Sequence, residues 1–107
     1  MSGPGALRRR VAIDRPADIE DGVGGFVRGF AALAETFAEV EPVSSDQQEK
    51  GRALGLRTLW RVTIRARGDL GGGFRLRWRD QAFAVLSVRP LDSDGRFEEL
   101  LCEEFSA

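Results

Sequence analysis

Arginine recurs at every second position through parts of the middle of this 107-residue chain. The segment 58–67 reads T-L-W-R-V-T-I-R-A-R, and the segment 74–79 reads F-R-L-R-W-R. Guanidinium groups bind carboxylates and phosphates, so such a row can contact acidic protein surfaces or a nucleic-acid backbone. Some set of anions must neutralise it.

The alternation predicts two β-strands, because a strand directs successive side chains to opposite faces. We expect 58–67 and 73–79 to form an antiparallel hairpin with one buried face and one solvated, arginine-bearing face. The residues expected on the solvated face, as candidates for docking to a neighbouring subunit or partner, are Arg61, Arg65, Arg67, Arg75, Arg77 and Arg79. The residues expected in the core are Val11, Ile13, Trp60, Val62, Ile64, Phe74, Leu76, Trp78 and Phe83.

Three interpretations of the arginine row remain open: pairing within the barrel, docking to acidic protein surfaces, and contact with a nucleic-acid backbone. The alternation places Trp60, Phe74 and Trp78 on the face opposite the arginines. A single-strand binder combines stacking aromatics and cations on one face. The opposite orientation of aromatics and arginines therefore weakens the nucleic-acid interpretation. The alternative function remains a small β-barrel nucleic-acid-binding protein that uses the arginine-rich hairpin.

The charges are strongly segregated although the net charge is only −1. Residues 50–79 hold nine basic residues against one acidic residue, whereas residues 1–49 carry a net charge of −4 and residues 80–107 a net charge of −5. This pattern suits a barrel that pairs charges across its own strands. It also suits subunits that dock a positive surface against a negative one.

The residues that commonly perform catalysis are scarce. The chain has no histidine and one cysteine, Cys102 in an apolar run, so a Cys/His pair is impossible and a buried thiol is expected. The neighbouring pairs Glu98-Glu99 and Glu103-Glu104 point to opposite faces of a strand and are expected to face arginines instead. The glycine clusters 22–25 and 71–73 lack the phosphate-loop pattern. We therefore expect no enzyme activity, no metal and no cofactor.

The elements that must position these residues are predicted to be mainly β. We expect a flexible N-terminal arm at 1–6 and a single β-barrel domain at 7–107 with an inserted loop at 44–57. The first strand, 7–15, is expected to end at Pro16, which donates no ladder hydrogen bond, and a loop is expected at 17–25. The segment 26–42 is ambiguous, because its apolar residues recur at helical spacing while its last part also alternates like a strand.

The remaining elements complete a small antiparallel barrel or sandwich of five or six strands. Ser44 or Ser45 is expected to cap a short helix within 44–57. Further strands are expected at 82–89, after a tight turn at Asp80-Gln81, and at 96–105. Neither a secretory signal nor a membrane-spanning run is evident, which predicts a protein used in the cytoplasm or carried inside an assembly.

The order of segments resembles the phage head-tail joining family, the head-closure or stopper proteins of long-tailed phages and phage-like gene transfer agents. The resemblance begins with L-R-x-R-V-x-I-x-R-P at 7–16 and F-A-E-V-E-P-V-S at 37–44. It continues through the two arginine segments and Phe83 to L-L-C-E-E at 100–104. The chain departs from the family by having Phe30 and Phe37 where tryptophan is frequent, and Leu59-Trp60 where Thr-His is frequent.

The resemblance implies a barrel assembled as a ring, typically twelvefold, in the head-tail connector of a virion put together in the host cytoplasm. The implied partners are the portal and adaptor proteins above, the tail terminator or tail tube below, and packaged DNA in the channel that the ring closes. The resemblance also implies a strand at 36–43 and leaves 26–33 undecided. The implied channel-gating residues of the loop 44–57 are Asp46, Gln47, Gln48, Glu49 and Lys50.

Overall fold

Six antiparallel strands close into a barrel in the computed structural model, which describes residues 7–105. In chain order the elements are β1 (Arg9–Glu20), β2 (Phe26–Pro42), α1 (Ser45–Ala53), β3 (Leu59–Arg65), β4 (Arg75–Trp78), β5 (Gln81–Pro90) and β6 (Phe97–Phe105). Around the barrel the strand order is β1, β2, β3, β6, β5, β4, after which β4 pairs with β1. This confirms the predicted fold class. The flexible arm predicted at 1–6 lies outside the described residues.

The core fills the inside of the barrel, where the inward-facing side chains of the six strands meet. Trp60 and Phe83 pack edge to face there, with ring centroids 5.8 Å apart. Of the residues predicted in the core, those that are buried are Val11, Ile13, Val62, Ile64, Leu76 and Phe83. Those that pack against them half-buried are Trp60, Phe74 and Trp78. The two-residue alternation thus indicates the inward side of each strand.

The two arginine-rich strands do not form the predicted hairpin. β3 pairs with β2 and β6, whereas β4 pairs with β1 and β5, so two strands separate them around the barrel on either side. The prediction was wrong because alternation defines the faces of a strand without identifying its neighbours. Arg67 also lies beyond the end of β3, and Arg79 occupies the turn after β4 with a φ of 56°. That turn is Arg79-Asp80, one residue earlier than predicted.

The predicted end of the first strand was wrong, because β1 continues past Pro16 to Glu20 and leaves only 21–25 of the loop that was expected at 17–25. The ambiguous segment 26–42 is one long strand, in agreement with the strand expected at 36–43, and this strand also includes the undecided residues 26–33. From Arg15 onward β1 pairs with β2 alone. Pro16 therefore has no strand on its other side to which a backbone N–H would have to donate. β2 pairs with β1 along most of its length, and this pairing makes it a strand although its apolar residues recur at helical spacing.

Beyond Asp14 these two strands form a two-stranded ribbon, residues 15–32, with no further strand beside it. β4 pairs with β1 only at 12–14, and β3 pairs with β2 only at 38–42. At the tip, the Oδ1 atom of Asp21 accepts the backbone N–H groups of Val23 and Gly25 at 2.8 and 3.0 Å. The ribbon contributes to a molecule whose longest dimension is 49 Å. No helix within residues 7–105 is long and apolar enough to cross a membrane.

Candidate functional site

The two arginines of β4 are neutralised by one buried carboxylate on β1. Asp14 stands directly opposite Arg75 in the β1–β4 register, and both arginines donate to it. The shortest distance, from Nε of Arg77 to Oδ2 of Asp14, is 2.8 Å, and Nη2 of Arg75 lies at 3.2 Å from the same oxygen. The hydrogen bond from Arg77 holds the pKa of Asp14 below its ordinary value, with Arg75 adding to the effect and burial opposing it.

Arg75 also contacts the ribbon. Its guanidinium carbon lies 4.3 Å from the ring centroid of Phe30 on β2, which is within the range of a cation–π interaction. Asp14, Arg75 and Phe30 therefore connect β1, β4 and β2 at the base of the ribbon. No pattern in the sequence indicates this contact, because Asp14 and Phe30 are far from Arg75 along the chain.

The arginines of β3 and its surroundings find their partners elsewhere. Glu99 of β6 pairs with Arg61 at 3.5 Å and with Arg89 at 2.7 Å, and Arg61 also reaches Glu41 at 3.4 Å. Glu98 and Glu103 instead accept backbone N–H groups, and Glu104 accepts the side-chain amide of Gln81. The expectation that these glutamates face arginine side chains therefore holds for Glu99 alone of the four.

The six arginines proposed for docking consequently do not form one surface. Arg61, Arg75 and Arg77 are engaged in pairs within the barrel. Arg67 pairs with the neighbouring Asp69 at 3.1 Å, and Arg65 lies over the ring of Phe97. Most of the charge that the alternation displays is thus neutralised inside one chain, which reduces what remains for an external anion.

A basic and aromatic patch lies at the end of the barrel where β1 begins and β4 ends. We call it the Trp78 patch, and it comprises Arg9, Trp78 and Arg79. The guanidinium carbons of Arg9 and Arg79 lie 5.8 and 4.9 Å from the Trp78 ring centroid. Within residues 7–105 neither of the two arginines forms an ion pair with a carboxylate. Arg9 was not among the predicted docking residues, because it comes from a strand that the alternation did not link with β4.

Helix α1 is anchored to Leu59, the first residue of β3. Ser44 caps it by accepting the backbone N–H of Gln47 at 3.3 Å, in agreement with the predicted start. The side-chain amide of Gln48 donates to the carbonyl of Leu59 at 2.7 Å and accepts the N–H of Leu59 at 2.9 Å. Gly51 is buried against Leu59, where a Cβ atom would come within 2.8 Å of a Leu59 methyl. Of the five predicted gating residues, Gln48 is therefore engaged, while the exposed ones are Asp46, Gln47, Glu49 and Lys50.

The one cysteine of the chain is buried in the barrel. Burial raises the pKa of the Cys102 thiol to about 12, so it stays protonated at neutral pH. Within residues 7–105, no group of three or more potential metal-ligating residues is placed to hold an ion.

Two solved structures share the fold over nearly the whole chain. The solution structure of protein SF1141 from Shigella flexneri 2a is 24% identical, with a TM-score of 0.75 and 96% of each chain covered. A chain in the virion of a native gene transfer agent particle is 20% identical, with a TM-score of 0.64, and the match covers 94% of this chain and 97% of that one. Both likenesses concern the barrel fold.

The family of the chain follows from its sequence. No curated protein matches it significantly. Residues 3–104 match the family described as phage head completion protein, in agreement with the resemblance seen in the segment order. The chain belongs to the phage head completion protein family.

Proposed function

We propose that this protein is a head-closure, or stopper, protein. Copies of the chain form a ring that joins the portal and adaptor of the head to the tail and closes the DNA channel after packaging. The observation that carries the proposal is the family match over residues 3–104, together with a barrel that covers nearly all of those residues. The protein performs this role by binding and not by catalysis, which is consistent with its family.

The barrel provides a rigid body from which two elements project. Its charges pair across β1 and β4 and across β3, β6 and β5, so the wall of the barrel is stabilised by its own contacts. The ribbon and α1 extend from opposite ends of β2, since the ribbon holds its first residue, Phe26, and α1 follows its last, Pro42. One projecting element can thus serve assembly while the other faces the channel.

Helix α1 is the element that we assign to the channel. Its exposed residues Asp46, Gln47, Glu49 and Lys50 are those nearest the axis in the proposed ring. Gln48 holds the helix to Leu59, so it acts as the anchor of the gate and not as part of its surface. A helix fixed at one face and polar on the other can narrow a channel without unfolding.

The test replaces these four exposed residues together by alanine and keeps Gln48 and Gly51, so that Leu59 stays covered. Particles made with this variant should contain the chain and carry tails but lose packaged DNA. Measurement of encapsidated DNA against tail number in purified particles separates the two effects. Normal retention of DNA would disprove the gating role. Particles made without the chain should be packaged but unstable, tailless heads, and normal tailed particles would overturn the proposed function as a whole.

The alternative function, nucleic-acid binding by the free protein, is supported at one place. The Trp78 patch combines two cations with an aromatic ring, which is the combination that single-strand binding uses. Fluorescence anisotropy with a labelled single-stranded oligonucleotide tests it. Binding that weakens steeply with salt, and that is lost in Arg9→Ala and Arg79→Ala variants, would favour this function over the first.

A further inference from the structure

The ribbon exposes apolar side chains that no part of the described chain covers. Val23 at its tip is 87% exposed, Phe26 is 67% exposed and Val27 is 52% exposed. An isolated two-stranded ribbon is at best marginally stable in water. A large exposed apolar surface of this kind is typical of a protein-binding site. The ribbon therefore has the properties of an element that docks onto another protein.

The face of the ribbon that bears Phe26 also bears unpaired charges. Glu20 stands directly opposite Phe26, and Asp18 stands directly opposite Arg28, so these four residues share one face. Within the described chain, the side chains of Asp18 and Glu20 form neither a hydrogen bond nor an ion pair. The face thus presents an aromatic ring with two carboxylates and one guanidinium.

The Trp78 patch presents the complementary set. It combines an aromatic ring with the two guanidinium groups of Arg9 and Arg79, and the exposed carboxylate of Asp80 follows Arg79 in the turn. Arg79 keeps this position although its φ of 56° is unfavourable for a residue with a side chain. The ribbon face thus carries two carboxylates and one guanidinium, whereas the patch with Asp80 carries two guanidinium groups and one carboxylate.

We propose that the ribbon tip of each copy docks onto the Trp78 patch of the next copy of this chain. Phe26 packs beside Trp78, Asp18 and Glu20 pair with Arg9 and Arg79, and Arg28 pairs with Asp80. The inference rests on the proposed function, because it supplies the contact by which the ring is built.

The geometry of β1 makes this contact possible only between different copies. Arg9 is the first residue of β1 and Glu20 is its last, so the two docking surfaces lie at opposite ends of a 12-residue strand. Such a strand spans roughly 36 Å. A chain cannot bring these ends together itself, but a head-to-tail series of copies can. Head-to-tail contacts that close on themselves give a ring.

The test uses particles assembled with a chain that carries both Glu20→Cys and Arg79→Cys. Mild oxidation should produce a ladder of disulfide-linked multimers, whereas each single-cysteine variant should give dimers at most. The native Cys102 is buried and does not contribute. Absence of the ladder, in particles shown to contain the double variant, would overturn the inference while leaving the head-closure function intact.

A charge exchange provides the second arm. The double variant Asp18→Lys and Glu20→Lys should reduce incorporation of the chain into particles at least tenfold, as should Arg9→Glu with Arg79→Glu. Combining all four changes should restore it. The control Asp94→Lys makes one acid-to-lysine change of the same kind at an exposed turn outside both surfaces. The inference is overturned if the variant with all four changes is incorporated no better than either double variant. It is also overturned if a different virion protein, and not a second copy of this chain, crosslinks to position 20.

Discussion

Asp14 and Arg77 are 63 positions apart in the chain, and their side chains meet at 2.8 Å across the two strands that close the barrel. β1 and β4 share only three residue pairs, at 12–14 and 75–77. A ladder of three residue pairs contributes few backbone hydrogen bonds. The charge-assisted hydrogen bonds from Arg75 and Arg77 to the buried carboxylate of Asp14 therefore contribute substantially to holding β1 and β4 together. The same carboxylate lies at the point where the ribbon leaves the barrel.

Replacing this carboxylate should weaken the barrel. Asp14→Asn removes a charge that accepts from two guanidinium groups, and we expect it to lower the free energy of unfolding by about 2 kcal/mol at pH 7. The measurement is urea denaturation followed by tryptophan fluorescence. Asp94→Asn, at an exposed turn outside both docking surfaces, is the control and should change little.

The same contact predicts a pH dependence. The pKa of Asp14 is lowered in the folded chain from an ordinary value of 3.8, so the folded state holds its proton less tightly than the unfolded state. The stabilisation is complete above pH 3.8 and disappears as the pH falls through the lower folded-state pKa. The stability difference between wild type and Asp14→Asn should therefore shrink on acidification. A difference that is constant from pH 7 to pH 2 would contradict this assignment.

Loss of the Gln48 side chain should release helix α1. Gln48→Ala removes both hydrogen bonds to Leu59, and we expect the helix amides to exchange with solvent at least tenfold faster, which corresponds to about 1.4 kcal/mol of local stability. Hydrogen exchange followed by NMR or mass spectrometry measures this. In the control Gln47→Ala the capping bond is kept, because Ser44 accepts from the backbone N–H of that residue. Equal effects of the two variants would show that Gln48 is not the anchor.

The contact between Phe30 and Arg75 should hold the ribbon to the barrel. Phe30→Ala removes a cation–π contact worth about 1 kcal/mol, so amide exchange in 15–20 should accelerate while exchange in β3 and β6 stays unchanged. Phe37→Ala removes a similar ring that is mostly exposed and serves as control. Acceleration spread evenly over the barrel would indicate general destabilisation instead.

The single thiol should report global unfolding. With a pKa of about 12 and no exposed surface, Cys102 should not react with a disulfide reagent at pH 8 in the native protein. Its reaction rate should rise with urea in parallel with the loss of tryptophan fluorescence. Rapid modification under native conditions would show that β6 opens locally. Because Cys102 does not react in the native protein, disulfides formed by engineered cysteines can be attributed to those cysteines alone.

The sequence by itself determined which residues face inward. Ile13, Val62 and Ile64 could be assigned to the core because alternation is a local property, carried by neighbours two positions apart. The segment order also identified the family, since it extends over nearly the whole chain. The helix start at Ser44 or Ser45 could be predicted for the same reason, since a cap depends on residues within one turn, and the structure assigns it to Ser44.

The tertiary structure alone decided which strands are neighbours and therefore which charges meet. The alternation predicts that Arg61 and Arg75 lie on neighbouring strands, yet barrel closure separates these strands and gives the two arginines different acidic partners, Glu99 and Asp14. Pairing between β1 and β2 also made 26–42 a strand despite the helical spacing of its apolar residues, and extended β1 past Pro16. These outcomes depend on register and closure of the whole sheet, which no local pattern contains. The arginine alternation thus identified a barrel wall, while the ribbon and the Trp78 patch emerged only from the fold.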